Sequence, residues 1–332
     1  DLFQTPFGNF QLQPLHHHPR SPLRAWSAAD ELLLQELAAR GLAGSSTPHP
    51  RTLLVNDSNG ALATALHHWH PHSWNDHFTA QLALQQNLRR NHLAETDVHF
   101  IPAHLPPDGI YDCVLLQLPK TLSLLEYQLT QLRQHVHANT LIIGTGMVKH
   151  MAKTMIELFG KIIGPTHTSL AEKKARLIFS QFDPALKSVA ATPVHYPIPG
   201  TPLQLVNHAN VFSRQQIDIG TRFLLEQFPD LSHAQSLLDL GCGNGALGIF
   251  AGWKYPQLAL HFTDDSFLAV QSARESVALN GLQNTAHFYT DDGLAHFAGK
   301  VDVILCNPPF HEGNKVHTDI ASRRLAISRA WR

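Results

Sequence analysis

The segment Val301–Gly313 (VDVILCNPPFHEG) places an amide, two prolines and an aromatic ring directly after a short apolar run. Pro308 and Pro309 remove two backbone N–H donors and hold the chain extended, so the Asn307 side-chain oxygen and a proline carbonyl remain as acceptors. Acceptors bind an exocyclic –NH₂ group and stabilise the charge that develops on its nitrogen during attack on an electrophile. Phe310 is suited to stack on the flat ring that carries the amine. We therefore predict a catalytic amine site formed by Asn307, Pro308, Pro309 and Phe310.

A glycine-rich stretch, Asp239–Gly248 (DLGCGNGALG), follows the apolar run Ser236–Leu240 and precedes a helical pattern. Glycines permit a tight strand-to-helix turn, and the helix N-terminus offers N–H groups to a nucleotide-like cofactor. The spacing also fits the dinucleotide pattern G-x-G-x-x-G, but a carboxylate beside the loop would repel a pyrophosphate. Asp239 favours S-adenosylmethionine, which carries an ammonium and a sulfonium group. The predicted cofactor loop consists of Asp239, Gly241, Gly243 and Gly245.

Acidic residues follow two further apolar runs. Asp264 comes after Leu258–Thr263, about twenty residues beyond the glycine loop, where an acid meets ribose hydroxyls in nucleotide-binding α/β folds. The adjacent Asp265 is the alternative. The run Ala286–Thr290 ends in Asp291–Asp292, and one of these carboxylates is predicted to accept from the adenine amino group. A single acid at such a position is typical of a helix cap, but acids after successive strands favour a cofactor site.

Two parts of the chain resemble each other. Thr52–Leu62 (TLLVNDSNGAL) matches Leu237–Leu247 (LLDLGCGNGAL), and Tyr111–Pro119 (YDCVLLQLP) matches Val301–Pro309 (VDVILCNPP) at a similar distance. Apolar runs that alternate with helical patterns are typical of doubly wound, mostly parallel sheets. The sequence therefore predicts an α/β protein built of two tandem Rossmann-like domains that arose by duplication.

The first copy lacks the residues predicted to bind the cofactor. At the positions aligned with Asp239, Gly241 and Gly243 it carries Leu54, Asn56 and Ser58, and Gln117–Leu118–Pro119 replaces Asn307–Pro308–Pro309. We therefore predict a degenerate domain over residues 1–183, a proline-rich linker over 184–202, and a cofactor-binding catalytic domain over 203–332.

The composition excludes several classes of protein. With 332 residues, 43% of them hydrophobic and 15% charged, the chain is typical of a globular protein of two domains and not of a disordered one. A net charge of −1 gives no sign of a general nucleic-acid binder. No apolar run reaches the roughly 18 residues of a membrane helix, and no signal peptide opens the chain, so we predict a cytoplasmic protein without a membrane partner.

Cysteines and histidines give no metal signature. Cys113, Cys242 and Cys306 are far apart and are predicted to be reduced thiols. Many of the 24 histidines cluster at His16–His18 and between His67 and His72, without cysteines or carboxylates at ligand spacing. We interpret them as a histidine-rich surface and predict no metal cofactor.

Taken together, DLGCGNG and CNPPF resemble the motifs of class I S-adenosylmethionine-dependent methyltransferases that methylate amino groups. The degenerate first copy, with LLVNDSNGAL, FGKIIGPTHTSLAEKKARLI at Phe159–Ile178 and VNHANVFSRQQIDIGTRFLL at Val206–Leu225, makes nearly the whole chain similar to the RlmG/RsmC family. Its N-terminal half resembles the RlmG branch, which implies methylation of the exocyclic N2 amine of a guanosine in 23S ribosomal RNA. Three alternatives remain: an RsmC-like enzyme for 16S ribosomal RNA, a methyltransferase for a DNA adenine or a protein glutamine, and a non-catalytic RNA-binding assembly factor.

The resemblance also implies roles for individual residues. Asp239 and the three glycines line the cofactor loop, Asp264 binds the ribose, and Asp292 lies beside the adenine. Asn307, Pro308 and Phe310 hold the guanine amine, and Asn307 and Phe212 lie near the cofactor. The degenerate domain is expected to recognise RNA, and the cations that could contact phosphates are Lys173, Lys174, Arg176, Arg89, Arg90, Arg323 and Arg324. Such clusters also occur on ordinary solvated faces.

The C-terminal end departs from the family pattern. The chain ends at Arg332, soon after Phe310, whereas a methyltransferase fold normally continues with further strands. We therefore expect the closing strands of the second sheet to be absent from this sequence.

Overall fold

Two β-sheets with helices packed against them form the framework of the protein. The computed structural model describes residues 1–18, 22–44, 48–187 and 190–307, and the backbone of two short strands at His311–Glu312 and Lys315–Val316. The chain divides into two units, Asp1–Ala191 and Thr192–Arg332.

The first unit opens with a hairpin and then alternates helices and strands. Its elements are β1 (Leu2–Thr5), β2 (Gly8–Gln11), α1 (Ala28–Ala39), β3 (Thr52–Val55), α2 (Ala61–Ala65), β4 (His72–Asn75), α3 (Phe78–Arg90), β5 (His99–Pro102), β6 (Tyr111–Gln117), α4 (Leu122–Leu132), β7 (Val136–Met147), α5 (Lys153–Ile162), β8 (Thr166–Thr168) and β9 (Ala175–Ser180). Strands β3 to β9 form one sheet in the order β5-β4-β3-β6-β7-β9-β8, and only β9 runs against the others.

Helices cover both faces of this sheet because its strands are apolar on both sides. Successive residues of β6 alternate between two cores: Leu115 packs in the core that contains α1, and Leu116 in the core that contains α4 and α5. Helix α1 starts at Ser27 with a capping box formed with Asp30. Each fully buried leucine side chain stabilises such a core by about 1.5–3 kcal/mol.

The second unit repeats this arrangement. Its elements are β10 (Val194–Pro197), β11 (Gln204–Asn207), α6 (Ile219–Glu226), β12 (Ser236–Leu240), α7 (Ala246–Lys254), β13 (Ala259–Asp264), α8 (Phe267–Leu279), β14 (Ala286–Thr290), β15 (Val303–Cys306), β16 (His311–Glu312) and β17 (Lys315–Val316). Strands β12 to β15 form a parallel sheet in the order β14-β13-β12-β15, which matches β5-β4-β3-β6 of the first unit. The predicted tandem, mostly parallel α/β architecture is confirmed.

The segment predicted as a linker is partly structured. The boundary between the two units follows Ala191, and residues 194–197 form β10, which pairs with β11 in an antiparallel hairpin. The prolines of this segment favoured a loop, but a strand at the edge of a sheet tolerates a residue without an N–H group, such as Pro197 at the end of β10. Tyr196 in β10 is half-buried, and its hydroxyl donates to the Ser213 carbonyl at 2.9 Å. The C-terminal part of the proposed linker therefore belongs to the second unit.

Candidate active site

The glycine loop lies between β12 and α7, at the carboxyl edge of the second sheet. Gly241, Gly243 and Gly245 have φ angles of 68°, 53° and 83°, a region that L side chains rarely adopt. The N–H groups of Gly241 and Cys242 donate to the Thr263 carbonyl at 2.8 and 2.9 Å, which fixes the loop to β13. A Cβ at Gly243 would meet no atom within 4 Å, so the loop leaves open space above it.

Asp239 lies beneath the loop. Its side chain is 2% exposed, and its Oδ2 accepts the backbone N–H of Gly248 at 2.9 Å. Burial raises the pKa of Asp239 to about 7, and the negative charge of Asp264 adds to the shift. A nearby positive charge stabilises the ionised form of such a buried carboxylate. The charge of Asp239 is therefore complementary to a sulfonium or ammonium group of a ligand.

Asp264 links the loop to the next strand. Its Oδ2 accepts the Gly243 N–H at 2.9 Å, and its Oδ1 accepts the Ser266 N–H at 3.0 Å. The carboxylate is half-buried at the end of β13, at the same carboxyl edge of the sheet as the glycine loop. This geometry suits the ribose contact predicted for Asp264.

The two acids after β14 have different environments. Asp291 is buried, and its carboxylate accepts from the backbone of Asp292 and His296 and binds the His296 ring at 2.7 Å. Asp292 is half-buried and lies at the same carboxyl edge as the glycine loop. Asp291 therefore shapes the turn, and Asp292 is the better placed of the two for a ligand.

Asn307 directly follows β15, whose last residue Cys306 pairs with Leu240, the residue before Gly241. Its Nδ2 donates to both carboxylate oxygens of Asp218, at 3.1 and 3.3 Å, and to the Thr221 hydroxyl at 2.9 Å. An ionised carboxylate only accepts, so these contacts assign the orientation of the amide. The Asn307 side chain is thereby fixed at the end of β15, beside the strand that leads into the cofactor loop, with Oδ1 as its acceptor.

Helix α6 supplies the groups that orient Asn307. Asp218 is its N-cap and accepts the N–H groups of Gly220 and Thr221 at 3.0 and 3.2 Å. A Cβ at Gly220 would lie 2.7 Å from the Asn307 Oδ1, so glycine makes the close approach possible. Sequence reasoning missed Asp218, Gly220 and Thr221. The signal that could have found them is an acid near the N-terminus of the helix that precedes the first strand of each large sheet, Asp30 before β3 and Asp218 before β12.

The β10–β11 hairpin holds the loop from the other side. Buried Asn244 donates to the Tyr196 hydroxyl at 2.9 Å and to the Asn207 Oδ1 at 2.8 Å, and its own Oδ1 accepts the Ala246 N–H. These contacts fix the loop before a ligand binds. None of them was predicted, because the sequence shows only that NGAL occurs in both halves.

Other predicted site residues are less informative. Pro308, Pro309 and Phe310 lie outside the described residues, as do Arg323 and Arg324. Phe212 lies in the loop between β11 and α6 and is 66% exposed. Its place beside the cofactor stays a prediction.

The corresponding place in the first unit is filled by its own side chains. Asn56 occupies the position of Gly241 with a φ of 64°, and its amide exchanges two hydrogen bonds with buried Gln128, at 2.9 and 2.7 Å. Its Nδ2 also donates to the Gln117 carbonyl at the end of β6. The amide pair therefore occupies the strand ends of the first unit at the position where the second unit carries Gly241.

The candidate RNA contacts of the first unit differ in accessibility. Lys173 and Lys174 are exposed, whereas Arg176 is half-buried and its Nε has no partner among the described residues. Arg89 forms an ion pair with Glu95, and Arg90 donates to Gln13. The lysines are therefore more available to a ligand than the arginines.

The described part of the chain shows neither a metal-binding cluster nor a membrane-spanning helix. It holds no group of three or more histidine, cysteine, aspartate or glutamate side chains placed to bind a metal ion. Among its helices, none has the length and hydropathy needed to cross a bilayer.

The donor set fits S-adenosylmethionine. The strand ends provide an open glycine loop, a helix N-terminus after it, and three carboxylates, Asp239, Asp264 and Asp292, on successive strands. A pyrophosphate would meet these negative charges, whereas a ligand with two cationic groups, ribose hydroxyls and an adenine amine is complementary to them. The predicted choice of cofactor therefore agrees with the geometry.

Comparison with known proteins identifies the family. Residues 1–184 match the family model described as RLMG N-terminal domain, and residues 202–330 match Methyltransferase small domain. Ribosomal RNA large subunit methyltransferase G of Streptomyces griseus is 43% identical over 97% of this chain and 86% of its own length. The protein of the same name from Pseudomonas aeruginosa is 42% identical over 99% of this chain and 87% of its own length.

A solved structure has the same fold. The T. thermophilus 16S rRNA N2 methyltransferase RsmC, in complex with AdoMet and guanosine, superposes with a TM-score of 0.73 over 100% of this chain and 86% of that chain, at 19% identity. This likeness concerns the fold alone. The identity and coverage of the bacterial relatives, together with the two matching domains, show that the chain belongs to the ribosomal RNA large subunit methyltransferase G family of S-adenosylmethionine-dependent methyltransferases.

Proposed function

We propose that this chain transfers a methyl group from S-adenosylmethionine to the exocyclic N2 amine of a guanosine in 23S ribosomal RNA, in the bacterial cytoplasm. The observation that carries the proposal is the fixed amide of Asn307. Its Nδ2 is bound by Asp218 and Thr221, which fixes the Asn307 side chain at the end of β15, beside the strand that leads into the glycine loop, and leaves its Oδ1 as the acceptor. The names of the relatives support large-subunit RNA as the substrate.

Asn307 binds and orients the target amine. Its Oδ1 accepts one N–H of the guanine amine, which turns the nitrogen lone pair towards the cofactor side of the pocket. The methyl group that S-adenosylmethionine would supply is received by this nitrogen, and the surplus proton on the nitrogen leaves to solvent. The positive charge that develops on the nitrogen strengthens its N–H bond to Oδ1, so Asn307 stabilises the transition state more than the bound substrate.

The other residues of the site hold the reactants in place. S-adenosylmethionine supplies the electrophilic methyl group. Asp264 binds the ribose hydroxyls, Asp292 accepts from the adenine amine, and Asp239 favours the cationic end of the cofactor through its charge. Positioning of two reactants in near-attack geometry provides about 7–11 kcal/mol of the rate acceleration, and the preformed loop and amide provide that positioning here.

Replacement of Asn307 tests the proposed chemistry. We expect Asn307→Ala to lower kcat by at least about 100-fold, the effect typical of a removed charge-stabilising group. RNA affinity stays near the wild-type value because phosphate contacts dominate it. Gln283→Ala, which removes an exposed amide from the turn after α8 in the same unit, is the control and should retain activity. Turnover by Asn307→Ala at the wild-type rate would show that the amine binds elsewhere.

The substrate is tested with labelled cofactor. Protein-free 23S and 16S ribosomal RNA, assembled large and small subunits, and DNA are compared, and the product nucleoside is identified by mass spectrometry. We expect N2-methylguanosine in 23S RNA. Methylation confined to 16S RNA or DNA contradicts the proposed substrate, and cofactor binding without methylation of any of these indicates an assembly factor.

A further inference from the structure

The β10–β11 hairpin of the second unit is fixed to helix α8. Three backbone N–H groups in and just after β11 donate to polar side chains of this helix and its C-terminal end. The acceptors are Ser272, Ser276 and Asn280, at distances of 2.8 to 3.0 Å. Tyr196 lies in β10 and pairs with Leu205 of β11. The hairpin is therefore a fixed base for the side chain of Tyr196.

A directed chain of hydrogen bonds passes through the Tyr196 hydroxyl. The Nδ2 of fully buried Asn207 donates to two carbonyls of the hairpin, so its Oδ1 faces the Asn244 amide. Asn244, in the glycine loop, donates to Asn207 at 2.8 Å and to Tyr196 at 2.9 Å. Because the Tyr196 oxygen accepts from Asn244, its own proton is directed to the Ser213 carbonyl at 2.9 Å.

The segment that receives this proton has an uncommon backbone conformation. Asn210 and Ser213 have φ angles of 65° and 53°, in a region that residues other than glycine rarely adopt. The Ser213 carbonyl also accepts the Gln216 N–H at 3.3 Å, which closes a turn two residues before Asp218, the N-cap of α6. Such strained backbone persists only where its surroundings hold it. The hydroxyl of Tyr196 provides a contact of this kind.

The Tyr196 hydroxyl is also close to the start of α6. Burial raises the pKa of Tyr196 to about 12, and the negative charge of Asp218 adds to the shift. The hydroxyl is therefore a neutral donor at physiological pH. Asp218 in turn accepts the Nδ2 of Asn307. One hydroxyl thus joins the glycine loop to the segment that orients the amine acceptor.

We infer that Tyr196 is a positioning residue, which sets the start of α6, and with it the Asn307 amide, relative to the glycine loop. The inference rests on the proposed function and adds a residue that acts through Asn244 on one side and Ser213 on the other. A phenylalanine would supply the same half-buried ring to the hairpin. The hydroxyl is therefore needed for the connection between the two segments and not for the packing of the ring.

Removal of the hydroxyl tests this role. We expect Tyr196→Phe to lower kcat by about tenfold, the effect of one lost neutral hydrogen bond on the orientation of Asn307. The Kd for S-adenosylmethionine should match that of the wild type, because Asn244 keeps its contacts with Asn207 and Ala246. In an Asn307→Ala background the same change should have no further effect on kcat, because the amide that it positions is gone.

A second variant reverses the hydrogen bond without removing the ring or the hydroxyl. In Asn244→Asp the donor becomes an acceptor, so the Tyr196 hydroxyl turns to the new carboxylate and the Ser213 carbonyl loses its donor. We expect kcat to fall as it does in Tyr196→Phe, and this variant provides the test if Tyr196→Phe is too unstable to assay. Tyr255→Phe, which removes a hydroxyl from the C-terminal end of α7, is the matched control and should keep the wild-type kcat.

Amide hydrogen exchange provides a measurement that needs no RNA. In Tyr196→Phe the N–H groups of Gly220 and Thr221, in the first turn of α6, should exchange faster, whereas those of Gly241 and Cys242 should exchange as in the wild type. Wild-type kcat, unchanged exchange in α6, or an equal loss of kcat in the Asn307→Ala background would each overturn the inference. If the wild-type protein methylates no ribosomal RNA although the exchange result holds, the proposed function is wrong and the placement of α6 by Tyr196 stands.

Discussion

Asp218 offers a sharp test of how the active site is organised. Its carboxylate caps α6 and also accepts the Nδ2 of Asn307, so a simple deletion would disturb both. Asp218→Asn separates the two roles. Asparagine is as good an N-cap as aspartate. However, its neutral amide oxygen accepts a weaker hydrogen bond from Asn307 than the carboxylate does. The new NH₂ group at position 218 can also donate to the Asn307 Oδ1, so the flipped orientation of the Asn307 amide is no longer excluded. We expect a folded protein of nearly unchanged Tm with an impaired kcat.

The size of the effect follows from the contacts that are lost. A hydrogen bond to a charged group contributes about 1.5–3 kcal/mol, and Thr221 remains as a second acceptor at 2.9 Å. A loss of about 2 kcal/mol of orienting energy lowers kcat by about 30-fold. The reduction should be smaller than that for Asn307→Ala, because Oδ1 is still present and only its orientation is less restricted.

The assay measures kcat and KM by steady-state kinetics for the two single variants, Asp218→Asn and Asn307→Ala, and for the double variant. Asp218→Asn should lower kcat while the KM for RNA and the Kd for the cofactor stay within about twofold of wild type. In the Asn307→Ala background the same change should have no further effect, because the group that it orients is gone. Thr221→Ser, which keeps the hydroxyl, serves as the control. Wild-type kcat for Asp218→Asn, or a full effect in the absence of Asn307, would refute the assigned role.

Two further predictions concern the glycine loop and its support. Burial raises the pKa of Asp239 from 3.8 to about 7, so between these pH values the folded protein holds a proton that the unfolded chain has released. The contribution of Asp239 to the free energy of unfolding is therefore lost as the pH rises from 4 to 7. The affinity for the cationic cofactor rises over the same range because Asp239 becomes negatively charged. Urea unfolding and calorimetry between pH 5 and 8 should show both trends in the wild type and neither in Asp239→Asn. Gly248→Ala places a Cβ 2.4 Å from the Phe262 ring and should destabilise the protein by about 1–3 kcal/mol, whereas Gly160→Ala, with open space in α5, should stabilise it by about 0.5–1 kcal/mol in the same measurement.

The sequence predicts the framework well because the framework depends on local patterns. The apolar runs Ser236–Leu240 and Ala286–Thr290 are strands β12 and β14 with the predicted bounds, and β13 is shifted by one residue from the predicted run. The glycines that the repeated motif marked have the positive φ angles that such a turn requires. Periodicity and turn chemistry act over a few residues, so they can be read along the chain.

The orientation of the catalytic amide could not be predicted in this way. The contact between Asn307 and Asp218 joins residues 89 positions apart, and in the sequence Asp218 is an ordinary helix cap. The strand β10 was missed for a related reason, because its proline, Pro197, is acceptable only in an edge strand such as the one that pairs with β11. Both the orientation of the Asn307 amide and the strand conformation of β10 depend on residues that are distant in the sequence.

The first unit shows what the contact between α6 and Asn307 contributes beyond catalysis. There the Nε2 of Gln117, the counterpart of Asn307, donates to Asp30 in the capping box of α1. This unit lacks the glycine loop, yet the carboxylate at the N-terminus of α1 is still bound to an amide at the end of β6, the strand that corresponds to β15. Such a contact therefore fastens a helix to the sheet even where no cofactor site is left. Stability alone cannot reveal the catalytic share of Asp218, and kcat in the presence and absence of Asn307 is the quantity that separates the two roles.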